Sequence, residues 1–319
     1  MFLGVEIGGT KLQLGLGRSD GHLLALWRGP VDAAAGGAGI RRQIEAAIPE
    51  LLAQADVDRS ALRGVGVGFG GPTDDATRSV IKSHHVAGWD GFPLAEWMTG
   101  LVGLPAAVGN DADVAGLAEA LHGAGRGLSP VFYITVGTGI GGGLILDGQI
   151  YRGAGKGAAE IGHLVVSYRG ANDAACTGIL EQAAAGWGIA ARAREYLYSD
   201  HRGATSSLRL LPQAEITTRQ VTTATRAGDE YAAWILDVAI EALAQAIRQT
   251  ITLLCPRRIV IGGGVSLAGD ALFFEPLRRR VAAGAFAAFA GLTDIVPAAL
   301  GEEVVVHGAL ALARQKFGG

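Results

Sequence analysis

The chain has 319 residues, 49 % of them hydrophobic and 18 % charged, with a formal net charge of −3. That length suits two domains of roughly 100–200 residues each, with ample material for buried cores. The mild acidity lacks the basic excess of a nucleic-acid surface, and two cysteines, Cys176 and Cys255, provide no disulfide framework and suit a reducing cytoplasm.

In chain order, Phe2–Ile7, Leu12–Gly17 and His22–Arg28 read as three consecutive strands joined by Gly and Asp-Gly turns. No basic segment and apolar core precede them, so no signal peptide is expected. Ile40 to Ala55 has helical spacing, with Pro49 expected to kink or shorten it. Leu62–Phe69 reads as a strand, Leu94–Leu101 as a helix, Ala106–Gly109 as a buried strand and Asp111–Leu121 as a helix. From Leu128 to Leu146 run 19 uncharged residues, long enough to cross a bilayer. Their glycines and threonines argue instead for strand, turn and strand, with strands at Val131–Val136 and Leu144–Leu146, and no membrane role follows. Helices are expected at Leu180–Tyr198, Thr217–Ala227, Asp229–Leu254, Leu272–Ala283 and Val304–Lys316, with a strand at Arg258–Ile261. Arg278–Arg280 reads as a solvated helix face rather than a binding patch. Strand triplets followed by helix–strand alternation, twice over, predict a duplicated α/β unit with two domains hinged around a cleft.

Glycine is the outlier, at 50 of 319 residues or about 16 %, against a usual ~7 %. Loops and tight helix contacts are its expected destinations. Three glycine turns each follow a short apolar run: Gly8-Gly9-Thr10-Lys11, Gly137 to Gly143, and Gly262-Gly263-Gly264. Such turns let backbone N–H groups approach an anion without a Cβ in the way. Three of them suggest two similar halves closing on one polyphosphate, and hence phosphoryl transfer.

Each motif also has a plainer reading. Gly8–Lys11 lies between two strands, so it is no Walker loop; it is either a hairpin with a surface lysine or a phosphate cradle. Glu6, just before it, can orient Mg²⁺ through water. Gly137 to Gly142 matches G-x-G-x-x-G, yet strand and turn follow where a dinucleotide site needs a helix. Asn110-Asp111-Ala112-Asp113 ends a strand and opens a helix, as an N-cap does. In an open α/β sheet that place also faces the ligand, where a carboxylate can act as general base. Glu160, His163 and Glu181 are either surface groups or a polar pocket.

Taken together and in this order, Gly4–Lys11, Gly68–Asp74, Gly109–Ala112, Thr135–Gly143, Tyr151–Ala154, Glu160–His163, Gly178–Glu181 and Ile261–Gly264 resemble the ROK family of sugar kinases nearly end to end. The resemblance implies a duplicated actin-like, ribonuclease-H-like ATPase fold. It implies a smaller domain of residues 1–112 with 302–319 and a larger one of 113–301, and Mg-ATP-dependent phosphorylation of a hexose hydroxyl, usually O6. Asp111 is then the catalytic base; Gly71, Asn110, Glu160, His163 and Glu181 contact the sugar. Gly8, Gly9, Thr10, Lys11, Thr138 and Gly139 lie along the phosphates, and Gly262, Gly263 and Gly264 lie near the adenosine. A cytoplasmic homodimer belongs to the same picture. Glucose is the first-choice substrate, with N-acetylglucosamine, N-acetylmannosamine, mannose or fructose as alternatives, or a catalytically weak sugar sensor. Repressors of this family carry an N-terminal helix-turn-helix extension, which is not expected before a phosphate hairpin that starts at Met1.

Three features depart from the family pattern. Glu6 stands where many members have Asp, and Asp113 where Asn is frequent. The family's zinc motif, C-x-C-G-x-x-G-C-L-E, would place cysteines at Asn172, Ala174 and Ile179, and Cys176 is out of register. No bound zinc is expected.

Overall fold

A computed structural model of the chain describes residues 1–18, 21–83 and 86–318. The chain folds as two compact units, residues 1–133 with 143–159 and 298–319, and residues 134–142 with 160–297. The boundary expected at 112/113 therefore falls inside the first unit.

The first unit is built on a five-stranded sheet. Strands β1 (Phe2–Ile7), β2 (Lys11–Gly17) and β3 (Leu23–Pro30) are antiparallel. Helix α1 (Gly36–Gln54) follows, then β4 (Val65–Phe69), the small hairpin β5 (Thr73–Asp74) and β6 (Ser79–Val80), α2 (Leu94–Val102), β7 (Ala106–Asn110) and α3 (Asp111–His122). β4 and β7 continue the sheet in parallel, giving the order β3-β2-β1-β4-β7. Pro49 does not shorten α1, which runs through it to Gln54 while Ile44, Ala47, Ile48 and Leu51 stay buried. β4 starts three residues later than expected, because Leu62 closes a 3₁₀ turn over Arg59–Ala61.

Strand periodicity separates the two faces of this sheet. Leu3, Val5 and Ile7 join the core with α1 and α2, whereas Phe2 packs on Val306, Leu310 and Ala313 of the C-terminal helix (Val304–Phe317). On that second face much of the glycine excess is found. A Cβ on Gly4, Gly15, Gly17, Gly66 or Gly68 would come within 3 Å of the C-terminal helix. Glycine here acts in strands, letting a helix lie directly on the backbone.

After α3 come β8 (Val131–Val136), β9 (Ile140–Leu146) and β10 (Gln149–Ile150). The second five-stranded sheet has the order β10-β9-β8-β13-β14, with β13 (Arg258–Gly262) and β14 (Asp294–Pro297) parallel. β9 starts at Ile140 rather than Leu144, so Gly141–Gly143 are strand residues and the turn shrinks to Gly137–Gly139. Among the described residues no helix is long and apolar enough to cross a membrane.

The second unit holds the hairpin β11 (Val165–Arg169) and β12 (Ala175–Ile179), then α4 (Leu180–Ala184), α5 (Gly186–Tyr196), α6 (Thr218–Arg226), α7 (Glu230–Leu254) and α8 (Glu275–Ala283). α7 buries fifteen of its residues, and Asp229 caps it by accepting from the Ala232 amide. The helix expected over Leu180–Tyr198 is broken at Ala185, where ψ is 158°. A long-range bond from the Gly186 amide to the Gly137 carbonyl (2.8 Å) accompanies the break. Buried Arg192 donates to the Ala183 carbonyl (3.0 Å) and so satisfies the end of α4. Asn172 and Ala174 flank the hairpin tip and Ile179 ends β12. In the basic cluster, Arg278 pairs with Asp270 and Arg280 with Asp237 and Glu241.

Candidate functional site

In the first unit the parallel register brings Ile7, Phe69 and Asn110 side by side at one sheet edge, at the carboxyl ends of β1, β4 and β7. Loops leaving that edge form the ligand face of open α/β sheets. The Gly70 amide donates to the Ile7 carbonyl (2.9 Å), and the Gly8 amide to the Lys11 carbonyl (3.1 Å) closes the first hairpin. Gly8 and Gly9 line a small recess with Ile7, Phe69, Gly70 and Trp89. Thr10, at the tip, is exposed.

Asn110 is the N-cap of α3, its Oδ1 accepting from the amides of Ala112 (2.9 Å) and Asp113 (3.3 Å). Its Nδ2 donates to the Gly71 carbonyl (3.1 Å), tying the Gly70–Gly71 loop that leaves β4 to the helix start. Asp111 Oδ1 accepts from the Ala112 amide (2.9 Å), and a Cβ on Gly70 would stand 3.6 Å from Asp111 Oδ2. The plain cap reading and the functional one therefore coincide: the cap aims Asp111 at the sheet edge. Asp113 turns inward, buried, with Arg152 Nη1 at 3.8 Å; Arg152 also pairs with Asp75 (3.1 Å).

Glu6 is 5 % exposed. Its Oε1 lies 3.2 Å from Lys11 Nζ, and its Oε2 has no hydrogen-bond partner among the described residues. Lys11 also donates to the Glu302 carbonyl (3.0 Å). Burial pushes the Glu6 carboxyl up to about 7; Lys11 opposes this, and the charges of Asp111 and Glu302 add to it. A carboxyl raised on folding contributes its stability below its ordinary value near 4.5 and loses it as pH rises through about 7. Metal-free protein is thus expected to lose up to about 3 kcal/mol of stability between pH 5 and pH 8 from this group. Glu6→Gln is expected to remove that part of the slope. Thermal unfolding of both proteins in chelator checks it, and parallel pH profiles would overturn it.

In the second unit, the Gly137 amide donates to the Gly139 carbonyl (3.0 Å). Glu181 Oε2 accepts from the Ile140 amide (2.9 Å) and would lie 2.7 Å from a Cβ on Gly139. Glu181, expected only as a sugar contact, thus also holds the Thr138–Gly139 turn. Glu160 and His163 flank the 3₁₀ turn Ile161–His163 and remain exposed. Partial desolvation raises the Glu160 carboxyl above its ordinary value, against the pull of His163 and with the push of Glu181. Glu160 therefore stands within electrostatic reach of both His163 and Glu181. Gly262 ends β13, and Gly263 has φ +87°; a Cβ there would come within 2.7 Å of the Val136 backbone. The Val265 amide donates to the Val136 carbonyl (2.9 Å), so the third glycine turn abuts the strand that leads into Thr138.

The expected residues thus gather as two groups. Glu6, Gly8, Gly9, Lys11, Gly71, Asn110 and Asp111 gather in the first unit, and Thr138, Gly139, Glu160, His163, Glu181 and Gly262–Gly264 in the second. Arg152 and Trp187, whose amide meets the Thr138 carbonyl at 3.5 Å, carried no role in the sequence reading. Among the described residues no cluster of three or more His, Cys, Asp or Glu side chains has metal-holding geometry. The partnerless Glu6 oxygen and the Asp111 charge that acts on it offer carboxylate oxygens of the kind magnesium takes with retained waters, with Lys11 Nζ 3.2 Å from the other Glu6 oxygen.

The family model described as ROK family matches residues 2–316. The chain is 33 % identical over 317 residues to a glucokinase of Halalkalibacterium halodurans, covering 99 % of this chain and 95 % of that protein. It is 31 % identical over 318 residues to a glucokinase of Thermotoga maritima, covering 99 % and 98 %. Its fold is similar to that of a ROK family glucokinase from Streptomyces griseus in complex with glucose and AMPPNP, with a TM-score of 0.78, 29 % identity and coverage of 98 % and 99 %. The chain belongs to the ROK family and has the actin-like α/β fold of its sugar kinases.

Proposed function

We propose that this ATP-dependent sugar kinase transfers the γ-phosphoryl group of ATP to a hexose hydroxyl, with O6 of glucose as the acceptor. The observation that carries the reading is the Asp111 carboxylate, aimed at the sheet edge by the Asn110 cap beside the buried Glu6. Asp111 takes the proton of the attacking hydroxyl as its oxygen bonds to the γ-phosphorus and ADP leaves. Amides of Gly9 and Gly139, the hydroxyls of Thr10 and Thr138, and Lys11 face the phosphates, while Gly8, its amide held by the Lys11 carbonyl, shapes the turn. Gly262–Gly264 take the adenosine.

Asn110 keeps one Nδ2 hydrogen beyond its bond to Gly71, and Glu181 keeps acceptor capacity beyond its bond to Ile140. With Gly71, Glu160 and His163 they match a polyol, whose hydroxyls both donate and accept. Glu6, through water, would hold Mg²⁺, which when bound neutralises phosphate charge. Cytoplasmic location and a homodimer complete the proposal.

An ADP-release assay with Mg-ATP against glucose, mannose, fructose, N-acetylglucosamine, N-acetylmannosamine and allose tests it. Glucose is expected to give the highest kcat/KM. A clear preference for another hexose would reassign the substrate, and silence across the panel from folded protein would overturn the kinase reading in favour of a sugar sensor.

A further inference from the structure

Glu160–His163 and Glu181 flank the two ends of the β11–β12 hairpin, where the Leu180 amide donates to the Leu164 carbonyl (2.9 Å). The hairpin tip, residues 170–174, lies about 17 Å further along five residues of strand. At that tip Asn172 and Asp173 both adopt left-handed backbone, with φ of 50° and 61°. Two successive non-glycine residues in that region persist only where surrounding contacts hold them.

Within the hairpin, Arg169 Nη1 lies 3.6 Å from Asp173 Oδ1 and the Gly170 amide donates to the Ala174 carbonyl (2.7 Å); the contacts from outside it come chiefly from one neighbouring segment, residues 199–202. The Asn172 amide donates to Asp200 Oδ2 (2.6 Å), Asn172 Nδ2 to the Ser199 carbonyl (3.0 Å), and the His201 amide to Asn172 Oδ1 (3.1 Å). Arg202 bridges the two sides. Its guanidinium bonds Asp173 through Nη2 and Asp200 Oδ2 through Nη1 (3.0 Å), and lies over the Trp234 ring at 4.9 Å. The Asp200 side chain is fully buried, so its charge depends on that bridge and on the amides it accepts from. A second tie, Arg169 to Asp237 (2.6 Å), fastens the same end of the hairpin to α7.

We propose that Arg202 is a positioning residue for sugar binding. By joining Asp173 to buried Asp200 it pins the hairpin tip, and through the hairpin it sets the spacing of His163 and Glu181. The inference rests on the sugar-contact roles given above.

The test compares Arg202→Met, Arg202→Lys and Asp173→Asn, the last at a part-exposed side chain that leaves the Asp200–Arg202 pair intact. Misplacing contact groups raises the KM for sugar, and Arg202→Met is expected to do so by about tenfold, with the KM for ATP and kcat within about twofold. Arg202→Lys is expected to recover part of the loss, and Asp173→Asn to show a smaller rise. In parallel, amides of residues 165–179 are expected to exchange hydrogen faster in Arg202→Met, while those of α7 do not. An unchanged sugar KM in both Arg202→Met and Asp173→Asn would overturn the proposal. So would equal losses in every kinetic parameter alongside a fall in Tm, which marks a merely structural role. If wild-type protein turns over no sugar, the kinase reading fails and the sugar role with it, while unchanged exchange in the hairpin would separately remove the pinning.

Discussion

Replacing Asp111 with asparagine is expected to lower kcat by about 10²–10⁴-fold, the range of a general base, while the Kd for sugar changes little. The fold should tolerate the change. Asp111 Oδ1 accepts from the Ala112 amide, and an asparagine oxygen accepts equally well, so the first turn of α3 keeps its bond. The Asn110 cap and its bond to Gly71 lie outside the substitution. What is lost is the ability to take a proton, and with it one negative charge near Glu6. Steady-state kinetics give kcat, and calorimetric titration with the preferred hexose gives Kd. A variant with kcat within about threefold of wild type would remove Asp111 as the base. A variant that also fails to bind sugar would assign Asp111 to ground-state recognition instead.

The strand–turn grammar around this site was legible in the sequence because it is local. The apolar run Phe2–Ile7 closed by Gly8-Gly9, and the change from Ala106–Gly109 to the Asn110 cap, need only period, turn chemistry and capping preference. Helix α7 was legible from its spacing and the Asp229 cap. Elements decided by distant partners were not. Leu180–Tyr198 has continuous helical character, and the break at Ala185 goes with distant partners, the Gly186 amide on the Gly137 carbonyl and the Thr218 hydroxyl on the Gly186 carbonyl. The short β11–β12 hairpin has a weak strand pattern, and its tip is ordered by residues some thirty positions away. Gly141–Gly143 looked like turn because glycine is rare in strands. They are strand, and at Gly143 glycine is required because α3 passes so close that a Cβ there would stand 2.9 Å from the Ala112 carbonyl oxygen. At the site itself, residue types and order pointed to Glu6, Asp111 and Glu181. The hold of Lys11 on Glu6 and of Glu181 on the glycine turn are contacts that no spacing rule encodes.

The glycine excess leads to a large stability effect expected of a single methyl group. In β4, a Cβ on Gly66 would stand 1.8 Å from the Ala309 carbonyl oxygen and 2.6 Å from its carbon, both backbone atoms of the C-terminal helix. One strand residue further along that face, a Cβ on Gly68 would meet Val305 Cγ1 at 2.4 Å, the tip of a side chain that can rotate. Glycine to alanine in a strand otherwise tends to stabilise, by about 0.5–1 kcal/mol, through the unfolded chain. At Gly66 the clash must win, because neither sheet nor helix backbone yields without moving the other. Gly66→Ala is therefore expected to cost about 3 kcal/mol or more, and Gly68→Ala about 1 kcal/mol. Val305→Ala should relieve the second substitution and leave the first untouched. Chemical denaturation of the three single variants and the two double variants measures this, and equal stability of Gly66→Ala and Gly68→Ala would overturn it. Gly66→Ala should also reach the site, since β4 runs on to Gly70, whose amide donates to the Ile7 carbonyl, and Gly71, whose carbonyl accepts from the Asn110 side chain. Loss of activity in whatever fraction still folds would show that the sheet edge carrying Asp111 depends on how closely the C-terminal helix can lie against β4.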